Sequence, residues 1–215
     1  MHRTWLEINS SALLHNVQEF FGLVGESTHL MAVVKSNAYG HGLAQVAKLL
    51  GNFQFPNHNF QSNPNDQIQK LWFGVDSIDE ALALRNAGIT KPILTLGYVP
   101  LDRLHEAVTH DIRLTVYNRE TIEALALCHS RVGGNPGPIP LHLKLETGTN
   151  RQGLLPEHAL ELIKLIQQYP NLQLEGISSH FANIEDTTDH TFALAQLERF
   201  NKALNLLFPP HDPRC

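Results

Sequence analysis

The sequence contains only two cysteines, Cys128 and Cys215, among 215 residues. Two cysteines are compatible with one disulfide, but they argue against the cysteine-dense frameworks of small secreted domains. The N-terminus has no basic region followed by an apolar run, and no apolar stretch is long enough to cross a membrane. These absences predict a cytoplasmic protein without a membrane segment.

Charged residues are also scarce, at 17%, and the formal net charge is −5. The sequence has no basic stripe, which argues against nucleic acid as a partner. The 13 histidines are scattered without the spacing of metal ligands, so no metal site is predicted. Hydrophobic residues make up 42%, the ordinary globular range, and a chain of this length can bury a large core as one domain or most of one.

Short apolar runs alternate with amphipathic stretches, which is the pattern of successive βαβ units around a parallel sheet. Ser77 and Glu80 form a predicted capping box, and Asn118 is a predicted N-cap. The predicted strands are Leu30–Lys35, Trp72–Val75, Ile93–Leu96, Arg113–Val116, Leu141–Leu145 and Leu174–Ile177. The predicted helices are Ser11–Val24, Leu43–Leu50, Glu80–Ala87, Leu101–His110, Thr121–Cys128, one from Pro156 to before Pro170, and His190–Leu207.

Six such strands do not close a (β/α)₈ barrel, which has eight and usually needs about 250 residues. An oligomer could cover the open edge, but a truncated chain is the simpler interpretation. We therefore predict an incomplete α/β barrel over residues 1–207 and a tail over residues 208–215. Residues from about 52 to 67 are rich in Asn and Gln without useful periodicity, and they are predicted as a surface insertion whose phenylalanines could instead dock a partner.

Lys35 ends the first predicted barrel strand and is followed at once by a Gly-rich turn at positions 36–42. An amine in this position is well placed to attack a carbonyl, because burial disfavours its ammonium form. On position alone, a surface lysine at a strand end is the commoner reading. However, Arg151 follows the fifth strand and His180 ends the sixth, so three polar groups lie at strand C-termini, where α/β barrels carry their catalytic groups.

The segment Ala-Val-Val-Lys-Ser-Asn-Ala-Tyr-Gly-His-Gly at positions 32–42 resembles the cofactor-lysine motif of alanine racemases, which are pyridoxal-phosphate (PLP) enzymes of fold type III. Residues 4–8 resemble the family's opening strand, and residues 72–81, 144–153 and 175–182 resemble later motifs in the right order and spacing. The resemblance implies a TIM-type (β/α)₈ barrel with about six of eight βα units present and the C-terminal β domain absent.

The same resemblance implies roles for individual residues. Lys35 matches the lysine that binds PLP covalently and then acts as an acid/base at the substrate α-carbon, with the cofactor ring as electron sink. Tyr39 matches the tyrosine that hydrogen-bonds the cofactor phosphate. Arg151 matches the arginine that contacts the cofactor's phenolic oxygen and the substrate carboxylate, a task that suits a planar charged fork. His180 matches the histidine beside the cofactor ring, with a satisfied core histidine as the alternative.

The fifth predicted strand alternates Leu141, Leu143 and Leu145 with polar residues, which predicts an apolar face toward the helices and a polar face toward the barrel interior. A buried lysine on the polar face requires a partner or a modification. Lys144 matches a position that is carbamylated in many family members, and a simple Lys144–Glu146 arrangement is the alternative.

Two residues near Arg151 depart from the family pattern. Thr149 stands where methionine is common, and Gln152 stands where leucine or isoleucine is usual. These changes leave the implied role of Arg151 intact and put the details of substrate fit in question.

The resemblance implies an alanine racemase that interconverts L- and D-alanine for peptidoglycan precursors, as a homodimer when full length. The family's second base is a tyrosine of the partner subunit's C-terminal domain, and Tyr98, Tyr117 and Tyr169 do not match its motif. The chain is therefore expected to be truncated and weakly active or inactive. Two alternatives stay open: a non-catalytic PLP carrier, and a degenerate racemase-derived interaction protein in which Lys35 is dispensable.

Overall fold

The computed structural model describes residues 4–25, 27–52, 70–128 and 137–209. For the most part, the predicted insertion at about 52–67, the Gly/Pro-rich segment 133–138 and the predicted tail 208–215 lie outside the described residues. The chain divides into two units, Met1–Val99 and Pro100–Cys215. Among the described residues, no helix is long and apolar enough to cross a membrane.

The described part of the first unit holds three parallel strands, in the order of the sequence. Its elements are α1 (Ser10–Val24), β1 (Leu30–Val33), a short turn (Lys35–Tyr39), α2 (Leu43–Gly51), β2 (Leu71–Val75), α3 (Ile78–Asn86) and β3 (Ile93–Thr95). β1 pairs with β2 from Leu30↔Leu71 to Val33↔Gly74, and β2 pairs with β3. Adjacent parallel strands bring their C-terminal ends to one edge, which is where the Lys35–Tyr39 turn begins.

The second unit repeats this arrangement with three more parallel strands. Its described elements are a 3₁₀ turn (Leu101–Arg103), α4 (Leu104–Thr109), β4 (Arg113–Val116), α5 (Arg119–Cys128), β5 (Ile139–Lys144), α6 (Pro156–Gln167), β6 (Leu172–Ser178) and α7 (Thr191–Leu207). β5 pairs with both β4 and β6, with an irregularity at Leu141/His142 on the β6 side. Asn118 caps α5 as predicted, because its Oδ1 accepts a hydrogen bond from the Thr121 amide at 2.8 Å.

The two faces of β5 differ as the alternation predicts. Leu141 and Leu143 are completely buried. On the other face, the His142 ring packs against Gly176 of β6, where an added Cβ would lie 2.8 Å from the ring. A larger residue at position 176 would force the His142 ring to shift, so glycine makes room for this histidine.

The prediction of an opening strand at residues 4–8 is wrong, because this segment is irregular in the structure. Trp5 and Leu6 are 74% and 73% exposed. No described strand of the first unit pairs with the segment, and a strand without a neighbour leaves its backbone groups without ladder partners. Trp5 instead donates its indole N–H to Glu7 at 2.7 Å.

Candidate active site

Lys35 lies just beyond β1, after the buried Val34. Its side chain is 32% exposed, and its Nζ lies 3.8 Å from Oδ1 of Asp76, which follows β2. An ion pair this long and this open to solvent contributes little to stability. The amine is therefore held loosely at the strand edge, where a ligand can reach it.

The backbone after Lys35 is left-handed. Ser36, Asn37 and Ala38 have φ between 52° and 57° and ψ between 42° and 48°, and Tyr39 has φ 53°. Each L-residue in this conformation costs roughly 1–2 kcal/mol, so the surrounding contacts must hold the turn. Consecutive strained residues of this kind are found where a side chain has to be aimed.

Glu80 of α3 holds this turn through its carboxylate. Its Oε1 accepts a hydrogen bond from the Ser36 amide at 2.6 Å, and its Oε2 accepts one from the Asp76 amide at 2.8 Å. Ser77 caps α3 as predicted, since its Oγ accepts from the Glu80 amide at 3.3 Å. The reciprocal half of the predicted capping box is wrong, because the Glu80 carboxylate joins the Lys35 turn to the end of β2 instead.

The far end of the turn carries Tyr39, whose side chain is 62% exposed. Asn37 points toward the next helix, and its Oδ1 accepts from the Leu43 amide at 2.9 Å. This bond satisfies one of the donors at the start of α2. Lys35 and Tyr39 are therefore carried by one turn that is anchored on both sides.

Arg151 lies on a closed loop after β5. The Leu154 amide donates to the Lys144 carbonyl at 2.9 Å, and the Glu146 amide donates to the Leu154 carbonyl at 2.8 Å. Gly153 permits this closure with φ 131°, because a Cβ there would lie 2.9 Å from the Glu146 nitrogen. Arg151 itself is exposed at the far side of the loop.

The Glu146 carboxylate fills this loop. It accepts from the Gly148 amide at 2.5 Å and from the Arg151 amide at 3.3 Å. Desolvation raises the pKa of Glu146, but backbone hydrogen bonds from Asn150, Gly148, Arg151 and Thr149 outweigh it, so the net pKa lies below the usual carboxyl range. Glu146 therefore shapes the Arg151 loop in its ionised form.

Lys144 and His180 lie near the ends of adjacent strands. Lys144 is only 6% exposed and is paired in register with Ser178. His180 is exposed two residues beyond β6, and its carbonyl accepts from the Thr149 hydroxyl at 2.7 Å. Thr149 is the residue that replaces the family's methionine, and a methionine has no proton to donate here.

The strands β4, β5 and β6 also carry a polar network that the sequence did not reveal. Glu175 accepts from Arg113 at 2.8 Å, and the His142 Nε2 lies 3.0 Å from the same carboxylate oxygen. Desolvation lowers the pKa of His142, Glu175 acts in the opposite direction, and the charge of Arg113 lowers it further. The network links the three described strands of the second unit.

The structure thus places Lys35 and Tyr39 together in the first unit, and Lys144, Arg151 and His180 on neighbouring loops and strands of the second. Asp76, Glu80 and Asn37 were missed as site residues, although each stands within a few residues of a predicted strand end or helix start. Within the described ranges, no group of three His, Cys, Asp or Glu side chains is arranged to hold a metal ion.

Comparison with known proteins gives a consistent picture. The profile of the family "Alanine racemase, N-terminal domain" matches residues 8–54 and 67–214. The alanine racemase of Methanococcus maripaludis is 36% identical over 205 residues, which cover 95% of this chain and 50% of that protein. The solved alanine racemase of Clostridium difficile is 30% identical with a TM-score of 0.80, covering 95% of this chain and 49% of that one.

The chain spans about half the length of the curated relatives that it matches. The family profile skips residues 55–66, which lie inside the predicted insertion. The structural match confirms the predicted fold class, a TIM-type (β/α)₈ barrel of which about six βα units are present. The chain therefore belongs to the alanine racemase family and corresponds to its N-terminal domain.

Proposed function

We propose that these residues form the PLP-binding part of an alanine racemase, with Lys35 as the residue that binds the cofactor covalently. The observation that carries the proposal is Lys35, whose side chain is 32% exposed and which begins a left-handed turn that Glu80 joins to the end of β2. The anchored backbone positions the base of the side chain, and the partly exposed side chain can reach a carbonyl ligand.

The chemistry of the other candidate residues suits PLP. Tyr39 and Arg151 are both exposed residues, and a tyrosine hydroxyl can donate to a phosphate, whereas a guanidinium can bind an anionic oxygen or a carboxylate with two parallel hydrogen bonds. His180 is exposed at a strand end, as expected of a side chain that contacts a ligand. When bound, PLP supplies a conjugated ring that withdraws electrons from the substrate α-carbon.

Each residue then has a task in racemisation. Lys35 takes a proton from the α-carbon, or returns it, at its Nζ. Arg151 orients the substrate carboxylate. Glu146 holds the Arg151 loop, and Glu80 keeps Lys35 in place, so both act without touching the substrate.

The proposed substrate is alanine, interconverted between its L and D forms. In support, the Clostridium difficile alanine racemase has been solved in complex with cycloserine, and the Bacillus anthracis enzyme with bound L-Ala-P. Because the chain spans half the length of its relatives, we propose cofactor binding for these 215 residues and full racemisation for a protein of the relatives' length. A homodimer and a cytoplasmic location complete the proposal.

The test is an absorption titration of the 215-residue chain with PLP, in wild type, Lys35→Ala and Lys48→Ala. Lys48 is an exposed lysine of α2 in the same unit, so it controls for nonspecific amine chemistry. We expect a saturable visible band in the wild type and the Lys48 variant and none in the Lys35 variant. A band that survives in Lys35→Ala would contradict the proposal, and tight cofactor retention without alanine turnover at full length would favour the carrier alternative.

We also propose that Lys144 is carbamylated. Lys144 is only 6% exposed, and it matches the position that is carbamylated in many members of the family. In the modification, the neutral amine attacks CO₂, an N–C bond forms and one proton is released. Labelling with ¹³C-bicarbonate should give one carbamate NMR signal that is absent in Lys144→Met. A signal that persists in that variant would overturn the assignment.

A further inference from the structure

Gln196 is the most deeply buried polar side chain of α7. It is 1% exposed, whereas much of this helix faces solvent. A buried primary amide is costly unless both its oxygen and its nitrogen are hydrogen-bonded. The partners of Gln196 therefore indicate why the residue is there.

Both ends of the Gln196 amide bind the backbone just after β6. Its Oε1 accepts from the Ala182 amide at 2.8 Å, and its Nε2 donates to the His180 carbonyl at 3.0 Å. A backbone N–H can only donate and a carbonyl can only accept, so these two contacts fix which end of the amide is oxygen. The pair requires one donor and one acceptor on the same side chain.

Gln196 also touches the loop after β5. Its Nε2 lies 3.5 Å from the Thr147 hydroxyl, and a Cβ added to Gly148 would lie 3.0 Å from its Cγ. One turn further along α7, Arg199 donates to the Thr147 carbonyl at 2.9 Å. The first residues of the Arg151 loop therefore contact the same face of α7 that binds the His180 segment.

The geometry points to Gln196 as a positioning residue that holds the Arg151 loop and the His180 segment in a fixed relation to each other. It adds to the direct bond from Thr149 to the His180 carbonyl, so that this one carbonyl receives donors from both the loop and the helix. This inference rests on the proposed function in one respect, which is that the two segments matter because they carry Arg151 and His180.

The substitution Gln196→Glu separates the two bonds with little change of shape. A carboxylate still accepts from the Ala182 amide but repels the His180 carbonyl, whereas Gln196→Leu removes both bonds. Asn201→Asp is the matched control, because it converts an exposed amide of the same helix into a carboxylate.

The measurement is hydrogen–deuterium exchange of the 215-residue chain without cofactor, resolved to peptides covering residues 145–153 and 179–184. In Gln196→Glu we expect the amides of both segments, apart from that of Ala182, to exchange about tenfold faster while β5 is unchanged, which is the loss expected for one hydrogen bond. The Ala182 amide should stay protected in Gln196→Glu and lose protection in Gln196→Leu. Asn201→Asp should exchange like the wild type.

Exchange that is unchanged in both segments, or faster in only one of them, would overturn the coupling. So would an equal increase throughout the second unit, which indicates global destabilisation. If Gln196→Leu does not fold, Gln196→Glu alone decides.

A second readout connects the inference to the cofactor. Gln196→Glu should weaken PLP binding about tenfold, as measured by the visible band, and Asn201→Asp should leave the affinity unchanged. Unchanged affinity in Gln196→Glu would show that the coupling does not reach the cofactor. If the wild type shows no Lys35-dependent band, the proposed function fails, and the exchange experiment still judges the coupling independently.

Discussion

The carboxylates of two glutamates accept hydrogen bonds from backbone amides rather than from side chains. Glu80 accepts from the amides beside Lys35 and at Asp76, and Glu146 accepts from amides of the Arg151 loop. Hydrogen bonds to an ionised acceptor are roughly twice as strong as neutral ones. At the scale of single residues, Glu80 shapes the Lys35 turn and Glu146 shapes the Arg151 loop.

Glu146 should therefore make stability depend on pH. Because its folded pKa is lowered, the carboxylate contributes stability above the ordinary carboxyl pKa, and this contribution is lost as the pH falls through the folded pKa. Denaturant unfolding of wild type and Glu146→Gln should show a stability difference at neutral pH that shrinks in acid. A difference that stays constant with pH would contradict the assigned role.

Local hydrogen bonds near these glutamates could be predicted from the sequence, whereas hydrogen bonds between distant residues could not. Ser77 as the cap of α3 follows from local spacing, and it is confirmed. The bond from Ser36 to Glu80 joins residues 44 positions apart, and no local pattern specifies it. The same holds for Glu175, which binds Arg113 and His142 across two strands.

At the scale of elements, the left-handed turn at residues 36–39 is the feature that sets the direction of Lys35. Four non-glycine residues in succession adopt positive φ, and the cost is offset by Glu80 at one end and by Asn37 capping α2 at the other. The turn is short and its backbone is anchored at both ends, which suits a group that must meet a ligand.

Substitutions at Ser36 test the strain directly. Ser36→Gly should relieve the left-handed strain, whereas Ser36→Val should increase it, since a β-branched side chain fits positive φ poorly. Both variants keep the amide that donates to Glu80. We expect the free energy of unfolding to be lower for Val than for Gly by about 1 kcal/mol, after allowing for glycine's unfolded-state entropy. Equal stabilities in urea unfolding would show that the turn is not strained.

Helices and strands with a clear hydrophobic periodicity were predictable from the sequence, and segments without such periodicity were not. The strand β4 has the predicted boundaries, and the helices α5 and α7 and the strand β6 lie where periodicity placed them, with ends that differ by at most two residues. β1 ends at Val33, two residues before its predicted end at Lys35, because the backbone becomes left-handed immediately after Lys35. The strand predicted at residues 4–8 failed because strand formation depends on a neighbour, which composition does not reveal.

At the scale of the whole molecule, the chain carries the alternating βα pattern of its family through six strands. The family profile matches the residues on both sides of positions 55–66 and does not match that segment. Motif order along the sequence was enough to predict the family. The contacts that hold Lys35, Arg151 and His180 in place could be identified only from the folded structure.

Whether Lys35 binds the cofactor is tested most directly by adding PLP to the 215-residue chain, reducing with borohydride, digesting, and locating the added pyridoxyl mass by peptide sequencing. We expect one group per chain, on Lys35, with the exposed Lys48 unmodified. An adduct spread over several lysines, or a folded chain with no adduct on Lys35, would contradict it.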